Sequence, residues 1–137
     1  MIRAFALLLL AASVAFAGLL DDVRREQPSG RVAELIAFAD AAQLRGELEP
    51  ESAGIVIKDT AWIRRASEAI QATALARPVG CLCMGSQTAY FYRKGQFVAS
   101  VAAIHGHQLR VRWGGGGGDY PVDEASWEAV NAALTPL

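Results

Sequence analysis

The length, composition and charge of the chain predict one small globular domain and exclude several classes of protein. The chain has 137 residues, of which 53% are hydrophobic and 20% are charged, and its formal net charge is −1 at pH 7. Proteins that bind nucleic acid carry a basic stripe or a clear excess of Lys and Arg, so we expect no nucleic-acid partner. Because the chain has only 2 cysteines, its stability must come from a hydrophobic core and not from a disulfide framework.

The N-terminus has the pattern of a secretory signal peptide. Arg3 precedes an apolar run from Ala4 to Phe16, and Ala15-Phe16-Ala17 matches the small-x-small pattern at which signal peptidase cleaves. Cleavage there would leave a periplasmic or secreted protein. An uncleaved segment, apolar as far as Leu20, would instead reach the lower length limit for a membrane anchor. Only in that case would a membrane be a partner.

The predicted organisation is a signal peptide over residues 1–17, an N-terminal leader over residues 18–30 and a single domain over residues 31–137. Apolar residues recur at helical spacing from Val32 to Ala42, which predicts a first helix from Arg31 to Arg45. A short buried strand is expected at Ile55 to Ile57.

Two further helices are predicted from their N-terminal caps and their apolar stripes. Asp59 and Asp123 belong to the residue types that cap helices, and each precedes an amphipathic stretch. The helix after Asp59 is expected to bury Trp62. The helix after Asp123, from about Glu124 to Leu134, is expected to bury Trp127.

The region between these helices has the pattern of antiparallel strands. Residues 88–92 and 97–104 are rich in aromatic and β-branched types and flank Lys94-Gly95, a plausible tight turn. Residues 108–113 form a third strand, in which Arg110 and Arg112 alternate with apolar residues and are expected to face solvent. The predicted fold is therefore α+β, with a three- to four-stranded antiparallel meander and about three helices packed on it. Residues 114–118 are interpreted as a mobile connection.

The residues with the clearest chemical potential are the two cysteines and the two histidines, which fall as Cys81-Leu82-Cys83 and His105-Gly106-His107. Two thiols and two imidazoles are a usual ligand set for tetrahedral zinc, and with Met84 beside them they also suit copper(I). We therefore predict a metal site for zinc or copper formed by four ligands: Cys81, Cys83, His105 and His107.

The strand register brings the two pairs close together. If Lys94-Gly95 is a two-residue turn, Met84 lies opposite His105. Strand alternation would then place the cysteines and His105 on opposite faces, so a shared site needs one extra residue in the ladder, for which Gly85 is the candidate bulge.

Other interpretations of the cysteines remain open. A disulfide between Cys81 and Cys83 would require a sharp turn and would be easily reduced, as in a thiol-exchange site. In a third interpretation, the cysteines are ordinary buried residues with no chemical role. The domain would then be a non-catalytic interaction module with a protein partner. Cys83 with His105 forms no readable catalytic constellation, because a third orienting group is missing. We assign no catalytic residue, and the sequence favours a metal-binding or thiol-redox envelope protein.

The motif pattern resembles a set of small bacterial proteins of unassigned function. The likeness runs from about Ile55 to Leu134 and consists of a Cys-x-Cys-x-Gly at residues 81–85, a His-Gly at 105–106 and a Leu-Arg at 109–110. The chain departs from the pattern in having Val111 where Trp is expected and in carrying His107. The resemblance implies a fold and a site location, with Cys81, Cys83 and His105 as the better trio, and it implies no reaction.

Overall fold

A computed structural model describes residues 27–81, 83–84 and 86–136. Within these residues the fold is α+β, with three helices packed against a six-stranded antiparallel sheet. The helices are α1 Pro28–Ala37, α2 Thr60–Gln71 and α3 Glu124–Leu134. The strands are β1 Ala41–Gly46, β2 Ile55–Ile57, β3 Gln87–Arg93, β4 Gln96–Ile104, β5 Gln108–Trp113 and β6 Gly116–Pro121, and a short 3-10 turn spans Glu51–Ala53.

The sheet is a meander extended at one edge by an earlier hairpin. Its order is β2-β1-β3-β4-β5-β6, and every neighbouring pair is antiparallel. The hairpin of β1 and β2 comes first in the chain, α2 follows it, and the meander β3 to β6 completes the sheet. The prediction of an antiparallel sheet with three helices is confirmed, but the predicted number of strands, three to four, is wrong.

The hydrophobic core lies between the helices and one face of the sheet. Trp62 of α2 is 2% exposed and stacks on Phe91 of β3 with ring centroids 5.9 Å apart. Ser67 joins the helices by donating a hydrogen bond to the carbonyl of Ala33 at 2.7 Å. The sheet residues that point into this core are mostly aliphatic and fully buried: Leu44, Ala89, Val101, Leu109 and Val111.

The predicted caps of α2 and α3 are confirmed. The Asp59 carboxylate accepts a hydrogen bond from the backbone N–H of Ala61 at 2.8 Å, and the Asp123 carboxylate accepts one from Ser126 at 2.7 Å. Trp62 is buried as predicted. Trp127 is only half-buried, because it lies at the margin of the core and its indole N–H reaches the carbonyl of Ile104 at 2.8 Å.

The predicted first helix is wrong in its boundaries. The helix ends at Ala37, and Ala41–Gly46 forms β1, which pairs with both β2 and β3. The sequence pattern predicts a helix here because Ala, Gln, Leu and Arg favour helices and the apolar residues have helical spacing. Hydrogen bonding to a strand on each side outweighs this local propensity. The helix also begins earlier than predicted, at Pro28, a residue type favoured in the first helical turn.

The glycine tract that we interpreted as a mobile connection contributes a strand instead. Residues from Gly116 pair with β5 through the register Trp113 to Gly116. The glycines permit close packing: a Cβ atom at Gly116 would lie 2.8 Å from the Trp113 ring, and one at Gly118 would lie 2.5 Å from Pro78. Strand propensity is low in such a tract, so the sequence pattern conceals β6.

The turn at Lys94-Gly95 is confirmed, since both residues have positive φ angles of 49° and 76°, as a type I′ turn requires. The extra residue in the ladder lies at Val98, because Tyr92 pairs with Phe97 whereas Phe91 pairs with Ala99. The predicted bulge residue, Gly85, is outside the described residues.

The predicted signal peptide is also outside the described residues, as is the part of the leader before Gln27. Across residues 27–81, 83–84 and 86–136, no helix combines the length and apolar character needed to cross a membrane. The predicted anchor segment, which precedes this range, is not addressed by that finding.

Candidate metal centre

The two cysteines lie on a segment that crosses the face of the sheet opposite the helices. We call residues 79–81, 83–84 and 86, the described part of this stretch, the Cys segment. At one end, Val79 forms a β-bridge with Asp119 of β6; at the other, the carbonyl of Ser86 accepts a hydrogen bond from the N–H of Glu47, just after β1. Between these ends the segment contacts Arg110 of β5. It therefore runs from β6 towards β1 and β3 across this face.

Arg110 is buried beneath the Cys segment, contrary to the prediction that it faces solvent. It is 6% exposed, and its cross-strand neighbours are Ala102 and Asp119. Arg112, the next residue on the same face, is exposed as predicted. Alternation correctly placed both arginines on one face, but it could not indicate that the Cys segment covers part of that face.

All five N–H donors of the Arg110 guanidinium have an acceptor. Its Nε and one terminal nitrogen bind the two oxygens of Asp119 at 2.7 and 3.0 Å. The other terminal nitrogen binds the Glu47 carboxylate at 2.7 Å. The remaining two bonds go to backbone carbonyls of the Cys segment, at 2.7 Å to Cys83 and 3.2 Å to Cys81. One side chain thus links β5, β6, the end of β1 and the Cys segment.

The electrostatics of this cluster favour the charged form of both partners. The hydrogen bond from Arg110, supported by its positive charge, lowers the pKa of the Asp119 carboxyl, while burial acts in the opposite direction. The hydrogen bond to Asp119 likewise raises the pKa of Arg110. Asp119 also accepts a hydrogen bond from the backbone N–H of Cys81 at 3.2 Å. The ion pair therefore contacts the Cys segment through both of its members.

The structure brings together three of the four predicted metal ligands. The ligand atoms of Cys81, Cys83 and His105 all lie within 4.8 Å of one another. His105 comes from the turn that joins β4 to β5, where Gly106 and His107 have φ angles of 71° and 52°. The cysteines are half-buried and His105 is exposed, so the group is reached from solvent on its histidine side.

His107 is not a member of this group. Its ring packs against Trp127 with centroids 5.7 Å apart, and its carbonyl accepts a hydrogen bond from Val122 at 3.0 Å. These contacts tie the β4–β5 turn to α3, through Trp127, and to Val122 just before that helix. The grouping of Cys81, Cys83 and His105 matches the trio implied by the resemblance rather than the predicted set of four.

Cys81 and Cys83 are joined by a disulfide in this structure, with Cα atoms 5.3 Å apart. This separation lies within the usual range for disulfides. The backbone N–H of Cys83 also points at the Cys81 sulfur, at 3.2 Å. The two residues therefore lie closer together than the roughly 6.6 Å expected two positions apart in an extended strand, as such a bond requires. A metal could use these sulfurs only after the disulfide is reduced.

Comparison with known proteins does not identify the chain. No protein-family model, curated protein or solved structure matches it. The resemblance to small bacterial proteins with the Cys-x-Cys-x-Gly pattern stays a prediction, and the site is interpreted from its own chemistry.

Sequence reasoning missed the Arg110 cluster, although one signal could have found it. If Gly114-Gly115 is taken as a two-residue turn, Trp113 pairs with Gly116 and Arg110 falls opposite Asp119, as observed. Opposite charges directly across two strands are a known stabilising pair. The contribution of Glu47 had no such signal, because it depends on a contact with a residue 63 positions away.

Proposed function

We propose that this protein is an exported metal-binding protein whose reduced Cys81, Cys83 and His105 hold one zinc or copper(I) ion. The observation that carries the proposal is the proximity of the three ligand atoms, all within 4.8 Å of one another. Export rests on the N-terminal signal pattern, which favours the periplasm or the exterior of the cell.

The donor set determines which ions are suitable. Two thiolates and one imidazole are soft to borderline ligands, which bind zinc and copper(I) and discriminate against magnesium and calcium. Structural zinc sites are normally closed by four protein ligands, whereas the group in the described residues has three. A three-residue set would leave one coordination position of a bound ion to solvent or to a partner, and this suits an ion that is exchanged rather than one that is permanently retained.

The redox state of Cys81 and Cys83 would regulate metal binding, because only the reduced pair can bind an ion. A dithiol reductant would transfer two electrons and two protons to the Cys81–Cys83 bond, which gives two thiols and leaves the reductant as a disulfide. Metal binding then displaces the two thiol protons, because the thiolate is the ligand. A disulfide oxidant would reverse these steps: it would accept two electrons from the cysteine thiolates and two protons from solvent, leave as a dithiol, and release the ion as the Cys81–Cys83 bond forms again.

The test is a competition titration of reduced protein, prepared without a histidine tag and kept free of oxygen, with zinc and separately with copper(I). We expect one ion per chain. Cys83→Ser and His105→Gln should each lower the affinity by at least about 100-fold, since loss of a partner that merely orients a ligand already costs 10- to 100-fold. His107→Gln is the matched control and should bind like the unmodified chain. Affinities unchanged in Cys83→Ser would contradict the proposal.

A second candidate, thiol–disulfide exchange, is favoured by the disulfide itself. A substrate thiolate would attack one sulfur to form a mixed disulfide, and a second substrate thiolate would then release the reduced Cys-x-Cys pair. The substrate leaves as a disulfide, so the electrons balance. Rapid oxidation of a dithiol peptide by metal-free protein, with no binding of zinc or copper(I), would favour this activity. A chain that does neither would be left with the interaction-module interpretation.

A further inference from the structure

We infer that Arg110 is the positioning residue of the Cys-x-Cys site: it fixes the backbone of Cys81 and Cys83 so that both sulfurs stand beside His105. The inference deepens the proposed function and, where it concerns metal binding, rests on it. It also predicts a property of the metal-free protein, the stability of the disulfide, which can be measured whether or not a metal binds.

The hydrogen bonds of Arg110 constrain both cysteines at once. The carbonyls of Cys81 and Cys83 accept from different nitrogens of one guanidinium, at 3.2 and 2.7 Å. A planar group that binds two carbonyls of the same segment fixes their relative orientation as well as their position. Because both carbonyls accept from Arg110, the guanidinium restrains the backbone at each of the two residues that carry the sulfurs.

The guanidinium is itself held rigidly. Asp119 binds it through both carboxylate oxygens and Glu47 binds it through one, all between 2.7 and 3.0 Å. Arg110 also lies opposite Ala102 of β4, the strand whose last residue, Ile104, directly precedes His105. β5, through its Arg110 side chain and its pairing with β4, therefore connects the Cys segment to the part of the sheet that leads into His105.

The contribution of Arg110 to the site is geometric. Its single positive charge is outweighed by the two carboxylates that bind it, so the cluster has no net positive charge with which to stabilise a thiolate. Its contacts with the Cys segment are made to carbonyl oxygens, which are unchanged when the disulfide is reduced. The same restraint thus acts on the oxidised pair and on the reduced pair.

Preorganisation of this kind has two measurable consequences. A reduced pair already held in place loses little conformational freedom when it binds a metal, so removing the restraint should weaken binding by about 10- to 100-fold. The same restraint keeps the two thiols close together and favours the disulfide. Removal of the restraint should therefore raise the equilibrium constant for reduction of the disulfide by glutathione at least about tenfold.

The experiment compares full-length mature protein with three variants. Arg110→Lys keeps the charge but cannot form the fork of hydrogen bonds, and Arg110→Gln with Asp119→Asn removes the charged pair without leaving a bare carboxylate at position 119. Arg112→Gln is the control, because Arg112 lies on the same face and is exposed. The measurements are zinc affinity, the thiolate-to-metal absorption band of cobalt(II), the glutathione equilibrium of metal-free protein and circular dichroism.

We expect the two Arg110 variants to keep the native circular dichroism, to bind zinc at least tenfold more weakly with an altered cobalt(II) band, and to shift the glutathione equilibrium towards the thiols. Arg112→Gln should match the unmodified protein in all measurements. Native zinc affinity and a native glutathione equilibrium in both folded variants would overturn the inference, and so would unfolding of both, which would make Arg110 a residue of general stability. If the unmodified protein binds no ion, the proposed function fails, and the glutathione equilibrium alone decides the role of Arg110.

Discussion

Arg110 and Asp119 lie directly opposite each other on β5 and β6, and their side chains form a bidentate ion pair that is buried under the Cys segment. Each member also binds that segment, Arg110 through the carbonyls and Asp119 through the N–H of Cys81. The pair therefore connects the hydrogen-bonded frame of the sheet to the residues that carry the candidate chemistry.

Removing one member of this pair should be strongly destabilising. Asp119→Ala removes the bidentate partner and leaves the guanidinium, still bound to Glu47, with two buried N–H donors that lack an acceptor. Breaking a buried pair in this way costs about 3 to 5 kcal/mol. The measurement is the free energy of unfolding in urea. Glu34→Ala, at an exposed acidic position, is the control and should change stability little. A cost for Asp119→Ala as small as that of the control would show that the ion pair is not buried in solution.

Trp62 is expected to be a principal core residue. It is 2% exposed, stacks on Phe91 and donates its indole N–H to the carbonyl of Thr135 at 3.3 Å. Trp62→Ala should lower the free energy of unfolding by about 3 to 5 kcal/mol, because a large cavity is left. Trp127→Ala should cost less, since Trp127 is half-buried. Equal costs at the two positions would contradict this arrangement of the core.

The cap of α3 should be lost only at a pH below the ordinary pKa of an aspartate. The N–H and hydroxyl of Ser126 donate to Asp123 and lower the pKa of its carboxyl. The stabilising effect is therefore complete above the unfolded-state pKa of about 3.9 and is lost as the pH falls through the lower folded-state value. The NMR amide signal of Ser126 should shift with a midpoint below pH 3.9, and Asp123→Asn should abolish the transition. A midpoint above about 3.9 would contradict the cap.

The mature chain should begin at or near Gly18. The prediction follows from the apolar run and the Ala15-Phe16-Ala17 pattern. N-terminal sequencing of the protein recovered from a periplasmic or secreted fraction measures it directly. Replacing Ala15 and Ala17 with bulky residues should block processing and retain the full-length chain. Recovery of the unmodified chain starting at Met1 would replace cleavage with the membrane-anchor interpretation.

The elements that the sequence predicts well are those whose signals are local. α2 and α3 each begin at an aspartate cap and carry a periodic apolar stripe, and the β3–β4 turn is encoded by Lys94-Gly95. β1 and β6 are different, because helix-favouring residues form one and glycines form the other. Both are strands because of the neighbours with which they pair, and those neighbours are distant in sequence or lie across a turn of glycines.

The sequence predicts the residues of the candidate site better than it predicts how they come together. Cys81, Cys83 and His105 do lie together, but not because Met84 pairs with His105 in a continued strand, since β3 begins only at Gln87. They meet because the Cys segment crosses the sheet and is bound by Arg110. That crossing depends on long-range hydrogen bonds, which neither spacing nor alternation encodes.

The central claim is that the reduced Cys81, Cys83 and His105 hold one metal ion, and X-ray absorption at the zinc edge tests it most directly. The sample is reduced, zinc-loaded protein without a histidine tag. We predict two sulfur neighbours at about 2.3 Å and at least one imidazole nitrogen at about 2.0 to 2.1 Å, with one sulfur lost in Cys83→Ser. A spectrum with only nitrogen and oxygen neighbours, unchanged in Cys83→Ser, would contradict the claim.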